Sequence, residues 1–319
     1  MKQRPFGKLG EVSCLTLGGG GIGQVWGPTN REEAVATVRG AIDAGITFLD
    51  VAPSYGNGEA ELVVGEAFDG RLPSGVRLST KCMLGNPPRD EVLGRLEQSL
   101  DQSLARTRLE RIDLFFLHGQ IVPDAMAGRL EGTPRSLFVE AVRPAFEQLI
   151  ARGRIGAWGI SAIGVPTAVL ETISQDPPPF TIQAVANLLD SLGAMKRFDE
   201  SARPREIIAA AYRRNIGIMG IRAVQAGALT DALDRKLPET HPEMIDYRRA
   251  ARFRELAREI GESAAALAHR YSLSIPGVAT VILGVKNRTE LQECVAAAER
   301  GPLDSDLISR IEAAVGRTD

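Results

Sequence analysis

The chain has 319 residues, 44% hydrophobic and 24% charged, with a formal net charge of -2. That balance, with no long block of like charge, gives no footprint for nucleic acid or an anionic membrane, and no apolar run is long enough for a bilayer span or a signal peptide. Three cysteines (Cys14, Cys82, Cys294) without C-x-x-C spacing and three histidines without H-x-x-x-H spacing argue against a disulfide framework and a metal site, and point to a cytoplasmic enzyme acting on a small molecule.

Eight short apolar or β-branched runs alternate with segments of helical period, the pattern of repeated βα units around a parallel sheet. The first run, Leu15 to Leu17, leads into Gly18–Gly21 and Gly23, which satisfy G-x-G-x-x-G after a strand. A Rossmann turn would run straight into its helix. Here Gln24 to Asn30 intervene, carrying Trp26 in a Gly/Pro loop, before the amphipathic stretch Glu32–Ala44.

The second run, Ile46–Val51, ends in Asp50-Val51-Ala52-Pro53-Ser54-Tyr55-Gly56, an acid and a phenol at a strand's C-terminal end. Val76–Thr80 delivers Lys81, and Ile112–Leu117 delivers His118. Taken singly, Asp50 reads as a cap, Tyr55 as loop packing and Lys81 as a solvated side chain. On three successive strand ends, all four converge over one end of a barrel, the end where barrels carry chemistry.

Four further runs, Ile155–Ile160, Phe180–Val185, Ile216–Ile221 and Ala279–Leu283, complete eight strands. Helical stretches run over Arg89–Arg106, Phe138–Ala151, Pro204–Arg214, Ile245–Ile260 and Arg288–Arg300. The expected fold is α/β: one domain over 1–319, a (β/α)8 TIM barrel with an N-terminal β-hairpin beneath it and an extra C-terminal helix, Asp304–Val315. The polar loops Ile121–Arg135 and Val224–Glu243 should rim the active face.

These motifs together resemble the aldo-keto reductase family over nearly the whole chain. The resemblance rests on Leu9-Gly10 to Leu17-Gly18, the Asp50–Gly56 motif with Asn57-Gly58-Glu59, Lys81 and His118 at their strand ends, Gly159-Ile160-Ser161, Gln183, and Val281–Asn287 with Leu291 and Glu293. It implies NADPH-linked reduction of an aldehyde or ketone by a tetrad of Asp50, Tyr55, Lys81 and His118. Tyr55 would be the acid, with Lys81 lowering its pKa, Asp50 holding Lys81, and His118 orienting the carbonyl.

The resemblance also assigns cofactor contacts to Gly19, Ser161, Gln183, Gly284 and Glu293. Lys286 and Arg288, opening the helix after strand eight, would meet a 2′-phosphate and favour NADP(H) over NAD(H). Four places depart from the family pattern: Ala162, Ala184–Asn187, Cys294, and the segment after strand seven, where Arg222 stands as a cofactor contact. Trp26 and Gln120 are pocket candidates. Two rival readings keep the barrel: a cofactor-binding regulatory subunit, and an aldolase using Lys81 as a Schiff base.

Overall fold

The computed structural model describes residues 1–233 and 235–317. A short antiparallel hairpin, β1 (Gln3–Pro5) and β2 (Glu11–Ser13), precedes the barrel strands β3 (Leu15–Gly18), β4 (Phe48–Asp50), β5 (Arg77–Cys82) and β6 (Ile112–Leu117). The loop after β6 forms its own pair, β7 (Ile121–Val122) with β8 (Thr133–Pro134). The barrel then continues through β9 (Ile155–Ser161), β10 (Thr181–Val185), β11 (Gly217–Ile221) and β12 (Thr280–Leu283). All eight pair in parallel, and β12 closes onto β3. A closed barrel leaves no open crevice of the Rossmann kind, and the glycine run forms only a helical turn, Gly19–Ile22.

The hairpin seals the N-terminal end. Phe6 and Val12 join Phe48, Leu114, Phe116 and Met219 in a core cluster of their own, and the Arg77 guanidinium sits 5.8 and 5.3 Å from the Phe6 and Phe48 ring centres. With this end filled, the opposite rim is where a ligand can reach the barrel. The C-terminal helix, Ser305–Ala313, is capped by the Asp304 side chain on the Leu307 N–H at 2.8 Å and anchored by buried Ile311.

Two helical stretches differ from the sequence expectation. The segment from Phe138 starts as a π-turn, Phe138–Val142, and becomes an α-helix at Arg143–Ala151; Pro144 supplies no N–H, and Arg143 bonds back to the Phe138 carbonyl across the wider turn. Ile245–Ile260 is two helices, Pro242–Arg249 and Ala251–Glu259, separated at Ala250.

Two glycines fix the rim beside β3. A Cβ on Gly21 would lie 1.9 Å from the Val285 carbonyl oxygen, and one on Gly20 would lie 2.4 Å from the Trp26 indole nitrogen. At Gly21 the obstacle is backbone and only glycine admits the approach, which brings the β3 loop against the chain leaving β12; at Gly20 a side chain would displace the Trp26 indole.

Candidate active site

Asp50 and Lys81 meet inside the barrel rim. Lys81, fully buried on β5, donates to Asp50 Oδ2 and to the Val51 carbonyl, both at 2.8 Å. Asp50 Oδ1 accepts from Ser79 Oγ and from Gln183 Nε2, both at 2.6 Å. Ser79 and Lys81 share one face of β5 because side chains alternate along a strand, so β5 brings two donors to one carboxylate. Sequence reasoning missed Ser79, although its i, i+2 spacing from Lys81 carried the signal.

The third partner of the ammonium is Tyr55. Lys81 Nζ lies 4.6 Å from the centre of the Tyr55 ring. Burial acts to lower the Lys81 pKa, but Asp50 and Tyr55 outweigh it and hold the ammonium above its ordinary value. For Tyr55 burial is the larger influence and raises the phenol, while Lys81 pulls it back. The expected lowering is therefore present as a pull from Lys81 but is outweighed by burial.

His118, at the end of β6, meets Tyr55 edge-on with ring centres 5.6 Å apart, and its Nδ1 lies 3.4 Å from Ser54 Oγ. Burial first, and the Lys81 charge second, push its pKa down to about 3. At neutral pH it is an uncharged imidazole, suited to hydrogen-bonding a carbonyl oxygen rather than to supplying a proton.

A cleft of about 560 Å³ runs from these residues across the rim to the start of the last barrel helix. Asp50, Tyr55, His118, Ser161 and Gln183 line one end; Gly284, Lys286, Glu290 and Glu293 line the other, with Gly19, Trp26 and Arg222 between. Ser161 Oγ is buried and has no hydrogen-bond partner among the described residues. An unpaired hydroxyl beside an extended, largely apolar cleft fits a ligand with a polar amide at this end, as a nicotinamide would have. Arg222 donates to Glu243 at 2.9 Å and to Gln225 at 2.8 Å.

Two expected residues lie elsewhere. Arg288 is not in the cleft: its guanidinium and backbone N–H are held by Glu33 at 2.9 to 3.1 Å. Gln120 lines neither this cleft nor the neighbouring groove, and donates to the Met195 carbonyl at 3.3 Å. Lys286 lines the cleft, but Glu290 takes its ammonium at 2.7 Å.

A closed parallel barrel with an acid–ammonium–phenol–imidazole cluster at its open rim, beside a dinucleotide-sized cleft, defines an oxidoreductase of the carbonyl-reducing class. The chain belongs to the aldo/keto reductase family, whose model matches residues 14–315. It is 27% identical to an L-galactose dehydrogenase of Arabidopsis thaliana, over 98% of this chain and 94% of that one. A probable voltage-gated potassium channel subunit beta of Oryza sativa subsp. japonica is 27% identical over 89% of this chain and 88% of its own length. The structure of a glycerol dehydrogenase from Gluconobacter oxydans shares the fold, with a TM-score of 0.74 at 23% identity, covering 99% of this chain and 95% of the other.

Proposed function

We propose that the protein reduces the carbonyl of a small aldehyde or ketone to the alcohol with NADPH, Tyr55 acting as general acid. When bound, the dinucleotide supplies the hydride. The observation that carries the assignment is the triad of Asp50, Lys81 and Tyr55: Asp50 fixes the buried Lys81, the Lys81 ammonium lies 4.6 Å from the Tyr55 ring centre, and Tyr55 borders the same cleft as His118. As negative charge develops on the carbonyl oxygen, Tyr55 releases its proton to it, and Lys81 stabilises the phenolate left behind. His118, neutral, hydrogen-bonds that oxygen and orients it toward the cofactor. Ser161 and Gln183 border the cleft where the carboxamide would sit.

The same triad favours the enzyme over the regulatory-subunit reading, which needs a cofactor cleft but no buried ammonium beside a phenol. The aldolase reading needs a Lys81 nucleophile, and an ammonium held above its ordinary pKa is a poor one. Three free, buried cysteines suit a reducing cytoplasm.

The pH profile of reduction tests the division of labour. His118 stays neutral down to about pH 3, and Tyr55 and Lys81 are both raised. The rate is therefore expected to be flat from about pH 5 to about 7 and to fall only on the alkaline side, where the phenol and ammonium lose protons. A limb centred near about pH 6.5 would make His118 the acid instead.

NADPH preference rests on Lys286, whose ammonium must be shared with Glu290. Glu290→Gln should tighten NADPH by about threefold and leave NADH nearly unchanged, because the removed carboxylate competes only with a 2′-phosphate. Fluorescence titration of both reduced cofactors reads the difference directly.

A further inference from the structure

The far end of the cleft holds a histidine that the mechanism does not use. The helix Ala264–Ser274 packs against the helix Arg288–Glu299, so the two of its residues that line the cleft, Ala265 and His269, sit with Glu290, Glu293 and Cys294 rather than with the tetrad. They are one turn apart, at i and i+4, and share a face. His269 is 6% exposed, so its ring nitrogens need partners, and the protein supplies one to only one of them.

Nδ1 lies 2.8 Å from the Ala265 carbonyl oxygen. A carbonyl oxygen can only accept, so Nδ1 carries the hydrogen and that bond fixes the tautomer. Burial holds the ring below the usual histidine pKa and hence neutral, which leaves Nε2 as a bare lone pair. Nε2 makes no hydrogen bond among the described residues and is not sealed in; the opening that His269 borders is the cleft. An acceptor of fixed direction therefore stands at the end of the cleft opposite Ser161 and Gln183.

A nicotinamide dinucleotide brings few donors to that end. Its phosphates only accept, and the 6-amino group is the donor on the adenine base. Ala232, Ala265 and Cys294 line this part of the cleft with small, uncharged surfaces that suit a flat ring. Of the carboxylates nearby, Glu290 is taken by the Lys286 ammonium and backbone N–H at 2.7 and 2.9 Å, and Glu293 is exposed.

Resting on the NADPH-linked reading, we propose that His269 determines specificity for the base of the cofactor: its Nε2 accepts from the adenine 6-amino group and selects 6-amino over 6-oxo purines. A 6-oxo purine puts a carbonyl oxygen where the amino group stood, so two acceptors face each other with no proton between them. That arrangement is worse than the loss of one bond.

Fluorescence titration with NADPH and with its hypoxanthine analogue, which differs only in the purine, tests this on the wild type, His269→Phe and His269→Met. The wild type should bind NADPH at least about tenfold more tightly than the analogue. In both variants the ratio should fall to within about twofold, with NADPH weakened and the analogue bound as well as before or better. General damage to the cleft would weaken the two together, and retained binding of the analogue shows that a variant is folded. Equal wild-type affinities overturn the proposal whatever the variants do. A ratio that the variants keep also overturns it and hands the amino group to Glu293. Failure of the wild type to bind either cofactor overturns the NADPH-linked reading, and the proposal with it.

Discussion

Tyr55→Phe lowers kcat for carbonyl reduction by on the order of 10² to 10⁴ while the dissociation constant for reduced cofactor stays within about twofold. The substitution removes one oxygen. The ring remains to pack edge-on against His118 at 5.6 Å, and the Lys81–Asp50 bond at 2.8 Å does not depend on the hydroxyl. The barrel therefore keeps its geometry and loses only the proton it delivers as charge builds on the carbonyl oxygen. Steady-state kinetics beside a cofactor titration separates the two quantities. A kcat within about threefold of the wild type would remove Tyr55 from the chemistry.

Lys81→Met has the second largest effect and acts on stability as well. Methionine fills most of the lysine stem, but Asp50, about 1% exposed, loses the ammonium and remains a buried charge with Ser79 and Gln183 as its side-chain donors among the described residues. Removing one member of a buried pair costs on the order of 3 to 5 kcal/mol. Activity should fall by on the order of 10² or more, because burial then raises the phenol with no cation to oppose it. Adding Asp50→Asn removes the stranded charge, so the double variant should recover part of the stability and none of the activity. Urea denaturation with parallel kinetics distinguishes this from a purely structural role, in which both would return together.

Much of the barrel was legible in the sequence because most strands are short apolar or β-branched runs, largely buried on both faces, between polar segments. Among the described residues, three helices of nine or more residues escaped notice, for physical reasons. Ala264–Ser274 is buried almost all round, including His269 and Arg270, so it carries no amphipathic stripe. Glu59–Phe68 places Glu61 in the core, where Thr80 and Arg106 hydrogen-bond its carboxylate, and a charge at a core position breaks the apolar period. Pro166–Ser174 is short and largely apolar, and such a run looks like a strand when only periodicity is consulted.

The tetrad was legible because its members close successive strands. The pairings were not. That Glu33 holds Arg288 depends on the helices Arg31–Asp43 and Arg288–Glu299 lying side by side, a contact between residues 255 apart in the chain.

The central claim is that this barrel passes a hydride from a bound dinucleotide to a carbonyl, with Tyr55 completing the alcohol. The direct measurement follows loss of reduced-nicotinamide absorbance when purified protein is mixed with NADPH and a panel of aldehydes and ketones, with formation of the alcohol checked by mass. Oxidation matched one for one by alcohol, and absent in Tyr55→Phe, is the predicted result. Tight NADPH binding with no carbonyl reduced across the panel would contradict it and leave a cofactor-binding module in its place.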